Sequence, residues 1–241
     1  MNIDNATISQ GHLPTPNPGG INVIVDVIRA FTTCHVAFLQ GVRRILLVAT
    51  VNEAFELKER ISDSLLAGEV DALPISNFDC GNSPFELLNR DLKNTTLILK
   101  TTNGVTSTLN AMDAERIFVC GLCNAEAVSK YIYGLAGDDK AIQIVASHPT
   151  GDDDLACAKL IKEGLQRELT MQDLDQAAFA VKYSKAARKF LDPNKADYTF
   201  EDIKLCYSIP RLQLVIEARE KNGLVVLSET KRYECTSNSA Q

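Results

Sequence analysis

The chain has 241 residues, 45% apolar and 23% charged, with a net charge of −6 and a sequence pI near 5.2. This composition fills the core of one large α/β domain over 1–241, or of two tightly packed lobes, and it offers no basic stripe to a nucleic acid. No stretch approaches the roughly 18 apolar residues of a spanning helix, and the opening MNIDNATISQGHLPTPNPGG lacks the basic and apolar regions of a secretory leader, so a cytoplasmic protein with no membrane partner is expected.

In chain order, Ile21–Asp26 is a short β-branched run closed by an acid, which reads as a buried strand with Asp26 at its carboxyl end. A helix is expected over Thr33–Gln40 and a strand over Arg44–Ala49. Thr50–Ser64 reads as an amphipathic helix capped by Thr50 with Glu53 three residues on. Leu65–Glu69 is a short strand ending in an acid. Residues 70–92, with Pro74, Gly81, Asn82, Ser83 and Pro84, read as a long irregular loop, the kind that is usually functional. Strands follow at Thr95–Lys100, Arg116–Cys120 and Ala141–Ala146, alternating with helices over Val105–Asn110, Asn124–Leu135 and Asp153–Leu169. Leu174–Tyr207 reads as helical, Leu224–Leu227 as one late strand, and TSNSAQ as a frayed end. The alternation predicts a three-layer α/β/α fold with a mainly parallel sheet and a helical C-terminal part.

The seven cysteines are odd in number and mostly sit in apolar runs, as reduced core thiols do. Cys120-Gly-Leu-Cys123 has the spacing of a zinc or redox pair, but it follows a strand-like run and no second pair accompanies it. His35 and His148 read as surface or structural residues rather than catalytic ones.

Ligands of open α/β sheets bind beyond the carboxyl ends of the strands. Those ends carry Asp26 with Arg29, then Glu69, then Thr101-Thr102-Asn103-Gly104, then the loop to Asp152-Asp153-Asp154. Oxygen donors of this kind suit Mg²⁺, an arginine fork suits phosphate or sulfonate, and the N–H groups where Gly104 opens a helix suit an anion. Each feature also has a plain structural reading. Asp26 can cap the next helix, Arg29 can form an ion pair, Thr101–Gly104 can be an ordinary turn, and the three aspartates can favour a helix dipole.

Five blocks, in order, resemble the 2-phosphosulfolactate phosphatase family of coenzyme M biosynthesis. They are Asp26-Val-Ile-Arg-Ala-Phe-Thr-Thr33, Leu65-Leu-Ala-Gly-Glu69, Phe78-Asp-Cys-Gly-Asn-Ser-Pro84, Thr101-Thr-Asn-Gly104 and Asp153-Asp-Leu-Ala-Cys-Ala158. The resemblance implies a three-layer α/β fold and Mg²⁺-dependent hydrolysis of a phosphate ester on a short sulfonated or carboxylated chain. On that basis Asp26, Glu69 and Asp154 are expected as catalytic, metal-binding carboxylates, with Asp154 as a third ligand or a water-held partner. Arg29 is expected to be catalytic and, with Thr102, Asn103 and Gly104, to hold phosphate, and Asn82 and Ser83 to orient the substrate. Attack by water and attack by a carboxylate such as Asp26 are both open, as is a homodimer. Phe31, Asp71, Ala72, Lys100, Val105 and Lys159 depart from the family pattern. Phe31, Lys100 and Val105 motivate a second reading, a non-catalytic protein that keeps the small-anion pocket. A third, a sugar-phosphate-binding transferase, remains, while the absence of G-x-G-x-x-G and G-x-x-x-x-G-K-[ST] argues against dinucleotide and P-loop chemistry.

Overall fold

A computed structural model describes residues 6–135, 140–192, 194, 198–210 and 212–234. The tail TSNSAQ and Cys235 lie outside the described residues. One sheet organises the molecule. Its strands are β1 (Ala6–Gln10), β2 (Ile21–Val25), β3 (Arg44–Leu47), β4 (Ser64–Val70), β5 (Leu73–Pro74), β6 (Cys80–Gly81), β7 (Thr96–Lys100), β8 (Arg116–Cys120), β9 (Ile142–Ala146), β10 (Leu212–Lys221) and β11 (Leu224–Glu234). Their order is β1-β9-β2-β8-β10-β11-β3-β7-β4-β5, with β6 beside β4.

The sheet is two parallel blocks joined by a hairpin. β1, β9, β2 and β8 run parallel to one another, and so do β3, β7 and β4. Between them stand β10 and β11, antiparallel to each other, to β8 on one side and to β3 on the other. β2 is buried on both faces because it alternates between two cores. Val23 and Val25 pack into one layer and Ile24 into the opposite one.

The helices are α1 (Ala30–Leu39), α2 (Val51–Arg60), α3 (Pro84–Leu88), α4 (Gly104–Leu109), α5 (Ala125–Leu135), α6 (Asp152–Gln166), α7 (Met171–Lys182), α8 (Lys185–Arg188) and α9 (Phe200–Tyr207). α5, α6 and α7 cover one face and α1, α3 and α4 the other, which gives the three expected layers. The Thr50 cap is present: its hydroxyl accepts from Glu53 N–H at 3.1 Å, and Glu53 Oε2 accepts from Ala49 N–H at 2.9 Å.

Several elements differ from the sequence reading. α1 starts at Ala30, three residues early, and is buried almost throughout, so no polar face marks its start. The 70–92 loop contains β5, β6 and α3, the last capped by Ser83 with Pro84 at its first position. β1 and β10 were not foreseen. β10 carries Glu217 in its middle, 1% exposed, where Arg116, Arg219 and Thr230 satisfy it. An acid between two long-range partners does not mark a central strand in sequence, because pairing decides the strand there.

The cysteines agree with the thiol reading. Cys34, Cys80, Cys120, Cys123, Cys157 and Cys206 are free and buried. Among the described residues, no helix is long and apolar enough to cross a membrane.

Candidate active site

The strand ends that sequence singles out meet at one cavity of about 510 Å³. Asp26 follows β2, Glu69 is the last residue but one of β4, Thr102 and Asn103 follow β7, and His148 with Gly151–Asp154 leads from β9 into α6. The meeting is not trivial, because β8 and β3 each run antiparallel to the hairpin strand beside them and the two blocks are formally opposed. Twist of roughly 20–25° per strand accumulates to on the order of 100° between β2 and β7, which turns those ends toward each other.

Asp26 is where the two blocks join. Ala30 N–H, at the start of α1, donates to Asp26 Oδ1 at 3.0 Å, and Gly104 N–H, at the start of α4, donates to Oδ2 at 2.8 Å. Asp26 therefore caps two helices from one position and still lines the cavity. Only glycine fits at 104, because a Cβ there would sit 2.7 Å from Asp26 Oδ2. Burial raises the Asp26 pKa to about 6, the Glu69 charge adds to this, and the two N–H donors oppose it.

Asp153 and Asp154 open α6. Asp154 Oδ1 accepts from Val27 N–H at 2.8 Å, and its Oδ2 accepts from His148 N–H at 3.1 Å and from the Ser147 hydroxyl at 3.2 Å. Burial holds its pKa well above the usual range, and Asp153 and Asp26 push the same way. Asp153 is 3% exposed, lines the cavity, and is raised to about 7 by burial and by Asp26. Three buried carboxylates thus share one field.

Glu69 is held by the turn after β7. Thr102 N–H donates to Oε1 at 2.6 Å and the Thr102 hydroxyl to Oε2 at 3.0 Å, while Ala72 N–H reaches Oε2 at 2.5 Å. Thr102 lines the cavity, but its donors serve Glu69.

Arg29 is 7% exposed, and its Nη1 donates to Asp202 Oδ2 at 2.6 Å. The Ser83 hydroxyl and Phe85 N–H donate to the other Asp202 oxygen at 2.6 and 3.0 Å. Asp202 so ties the loop after β2, the start of α3 and α9 together. Phe190 and Tyr198 lie against the guanidinium, with ring centroids 5.0 and 6.0 Å away. Asn103 Oδ1 lies 2.5 Å from His12 Nε2; an amide oxygen only accepts, so His12 donates and the Asn103 NH₂ is left for other acceptors. Asn82 is 5% exposed, lines the cavity, and its Oδ1 has no partner among the described residues.

The structure therefore brings Asp26, Arg29, Glu69, Asn82, Thr102, Asn103 and Asp154 to one cavity. Ser83 and Gly104 stand behind the wall, one bonded to Asp202 and the other to Asp26. Sequence reasoning missed Asp202, Lys185, Lys189 and His12 and gave Asp153, though within the strand-end run, no role of its own, and His148, read as surface or structural, lies on the wall. Asp202 has a sequence signal, Thr199-x-x-Asp202, but that signal describes a helix start, which Asp202 also serves. Of the departures from the family pattern, Phe31 and Val105 are core residues, Lys100 Nζ donates to Thr101 O at 3.0 Å, and Lys159 is exposed on α6. Only Asp71 and Ala72 line the cavity.

The cavity wall carries six carboxylates, from Asp26, Glu69, Asp71, Asp152, Asp153 and Asp154, against the cations Arg29, Lys185 and Lys189. An anionic ligand enters such a wall only with protons or a cation. Among the described residues, no group of three or more His, Cys, Asp or Glu side chains is placed to hold a metal ion. Asp26 and Asp153, the first of which raises the pKa of the second, fit the sparser mode in which Mg²⁺ takes one or two carboxylates plus substrate phosphate oxygens.

The family sequence model described as 2-phosphosulpholactate phosphatase matches residues 8–221. A protein of Bacillus subtilis (strain 168) named "Probable 2-phosphosulfolactate phosphatase" is 43% identical over 199 residues, covering 83% of this chain and 87% of that protein. Proteins of the same name from Carboxydothermus hydrogenoformans and Clostridium perfringens (strain SM101 / Type A) are 30% and 31% identical, each over 88% of this chain and 91% and 90% of theirs.

Proposed function

Because the chain belongs to the 2-phosphosulfolactate phosphatase family, we propose that it hydrolyses the phosphate monoester of a small sulfonated or carboxylated hydroxy acid, with Mg²⁺ as cofactor. The observation that carries this reading is the cavity in which Asp26, Asp153 and Asp154 gather on one wall and Arg29 is held on the same cavity by Asp202. Mg²⁺ would be held by Asp26 and Asp153, with Asp154 and Glu69 in outer positions. Bound there, it supplies positive charge to the phosphate oxygens.

The chain's own groups divide the remaining work. Arg29 presents a planar fork whose orientation is fixed by Asp202 and the two rings, so little freedom is lost when it meets phosphate. The Asn103 NH₂, oriented by His12, is a second donor. The Asn82 Oδ1 can only accept, so it suits a hydroxyl or water rather than an anion. Ser83 and Gly104 support Asp202 and Asp26 from behind. Hydrolysis consumes one water and yields inorganic phosphate and the hydroxy acid. The departures Phe31, Lys100 and Val105, which motivated a non-catalytic binder, stay off the cavity wall, which favours catalysis.

The test is phosphate release from a panel of phosphorylated three-carbon acids. Release should vanish with a chelator and return with Mg²⁺ or Mn²⁺. No release from any of them with either ion would overturn the hydrolase reading. Release restored only by Zn²⁺ and abolished by thiol modification would overturn the carboxylate site.

A further inference from the structure

A 2-phosphosulfolactate-like substrate carries two acid groups besides its phosphate. Both are ionised at neutral pH and both would face a wall rich in carboxylates. The cations on the described cavity wall are Arg29, Lys185 and Lys189, and Arg29 already has one terminal nitrogen on Asp202.

The two lysines are placed together by α8. They are four residues apart, so they share a face of one helical turn. The turn is fixed at its start, where Lys185 N–H donates to both Asp152 oxygens at 3.0 and 3.1 Å and the Ser184 hydroxyl accepts from Ala187 N–H at 3.1 Å. Lys189 Nζ lies 4.9 Å from the Tyr198 ring centroid and 5.5 Å from that of Phe190, the same two rings that back Arg29. Two cations thus stand against one aromatic pair beside the cavity.

We infer that Lys185 and Lys189 form the subsite for the substrate's second acid group, sulfonate or carboxylate, and so set the preference for phosphorylated acids over neutral phosphate esters. The inference rests on the phosphatase reading and names the residues that give it specificity.

The experiment compares 2-phosphosulfolactate with glycerol 2-phosphate, which has three carbons and no acid group, on the full chain with Mg²⁺. The variants are Lys185→Met, Lys189→Met, the pair, and Lys189→Arg. A charge-assisted hydrogen bond is worth about 1.5–3 kcal/mol, so each Met variant should lower the ratio of kcat/KM for the acid to that for the neutral ester by about tenfold or more. The loss should fall mainly in KM, and Lys189→Arg should recover most of it. In parallel, calorimetry measures binding of phosphate-free sulfolactate, which should weaken about tenfold or more in the double variant. An unchanged ratio, whether both substrates lose together or neither does, overturns the subsite. If the parent protein hydrolyses neither ester, the phosphatase reading fails by itself. The calorimetry still decides the subsite then, and equal sulfolactate binding by parent and double variant, or none by either, overturns it. Melting curves show that the variants are folded.

Discussion

Arg29 shows how much one contact changes an expectation. Placed three residues after a strand-end aspartate, it reads as a pocket arginine whose loss would spare stability. The structure buries it to 7% exposure and pairs it with Asp202, itself 1% exposed. Removing one partner of a buried pair leaves the other charge uncompensated, at a cost of about 3–5 kcal/mol. Arg29→Ala should therefore lower the melting temperature by roughly 10 °C, given about 2–4 °C per kcal/mol at this chain length, and also abolish most turnover. Arg29→Lys keeps the charge but not the fork, so kcat should fall while stability falls less. Melting curves and kinetics on both variants check this, and an unchanged melting temperature in Arg29→Ala would rule out the Asp202 pair.

At the scale of elements, the hairpin of β4 and β5 turns through two residues with left-handed backbone. Its register pairs Glu69 with Pro74 and Val70 with Leu73, leaving Asp71 and Ala72 as a two-residue turn. Their φ values are 52° and 66°, the combination of a turn that favours Asn or Asp followed by Gly. Alanine in this left-handed region costs about 1–2 kcal/mol, and part of that is returned because glycine loses more chain entropy on folding. Ala72→Gly should thus raise stability by about 0.5–1 kcal/mol, and Ala72→Val should lower it. The Ala72 N–H that serves Glu69 survives both changes, so neither removes that bond. A fall in melting temperature for Ala72→Gly would show that the turn is not strained in this way.

The whole molecule feels the carboxylate cluster through proton linkage. An aspartate titrates near 3.9 when unfolded, whereas Asp26 and Asp153 titrate at about 6 and 7 in the fold. Between those limits the native state holds more protons, so this contribution to stability falls as pH rises and is fully lost above about 7. His35 opposes it: burial lowers its pKa to about 4, so its contribution grows with pH up to about 6.5. A variant cancels that background. Asp153→Asn should melt higher than the parent at pH 8 in the absence of metal, by a few degrees, and nearly equally at pH 5. Mg²⁺ should narrow the gap at pH 8 by stabilising the parent. A gap independent of pH would mean that Asp153 does not titrate in this range.

Local chemistry fixed much of this protein in sequence. β2, β7, β8 and β9 were legible because buried parallel strands read as β-branched runs with polar closures, and α2 was legible because Thr50 and Glu53 form its cap. The strand-end rule likewise picked out Asp26, Glu69, Asn103 and the Asp152–Asp154 run, all of which reach one cavity. What remained hidden depends on partners far apart in the chain. β10 is a strand because β8 and β11 flank it, despite Glu217 in its middle. Asp202 meets Arg29 across 173 positions, and Gly104 meets Asp26 across 78, so no local pattern reports either contact. Sequence could offer Asp26 as a cap or as a site residue; the tertiary structure made it both, because twist across the central hairpin brings the ends of two opposed parallel blocks onto the same carboxylate.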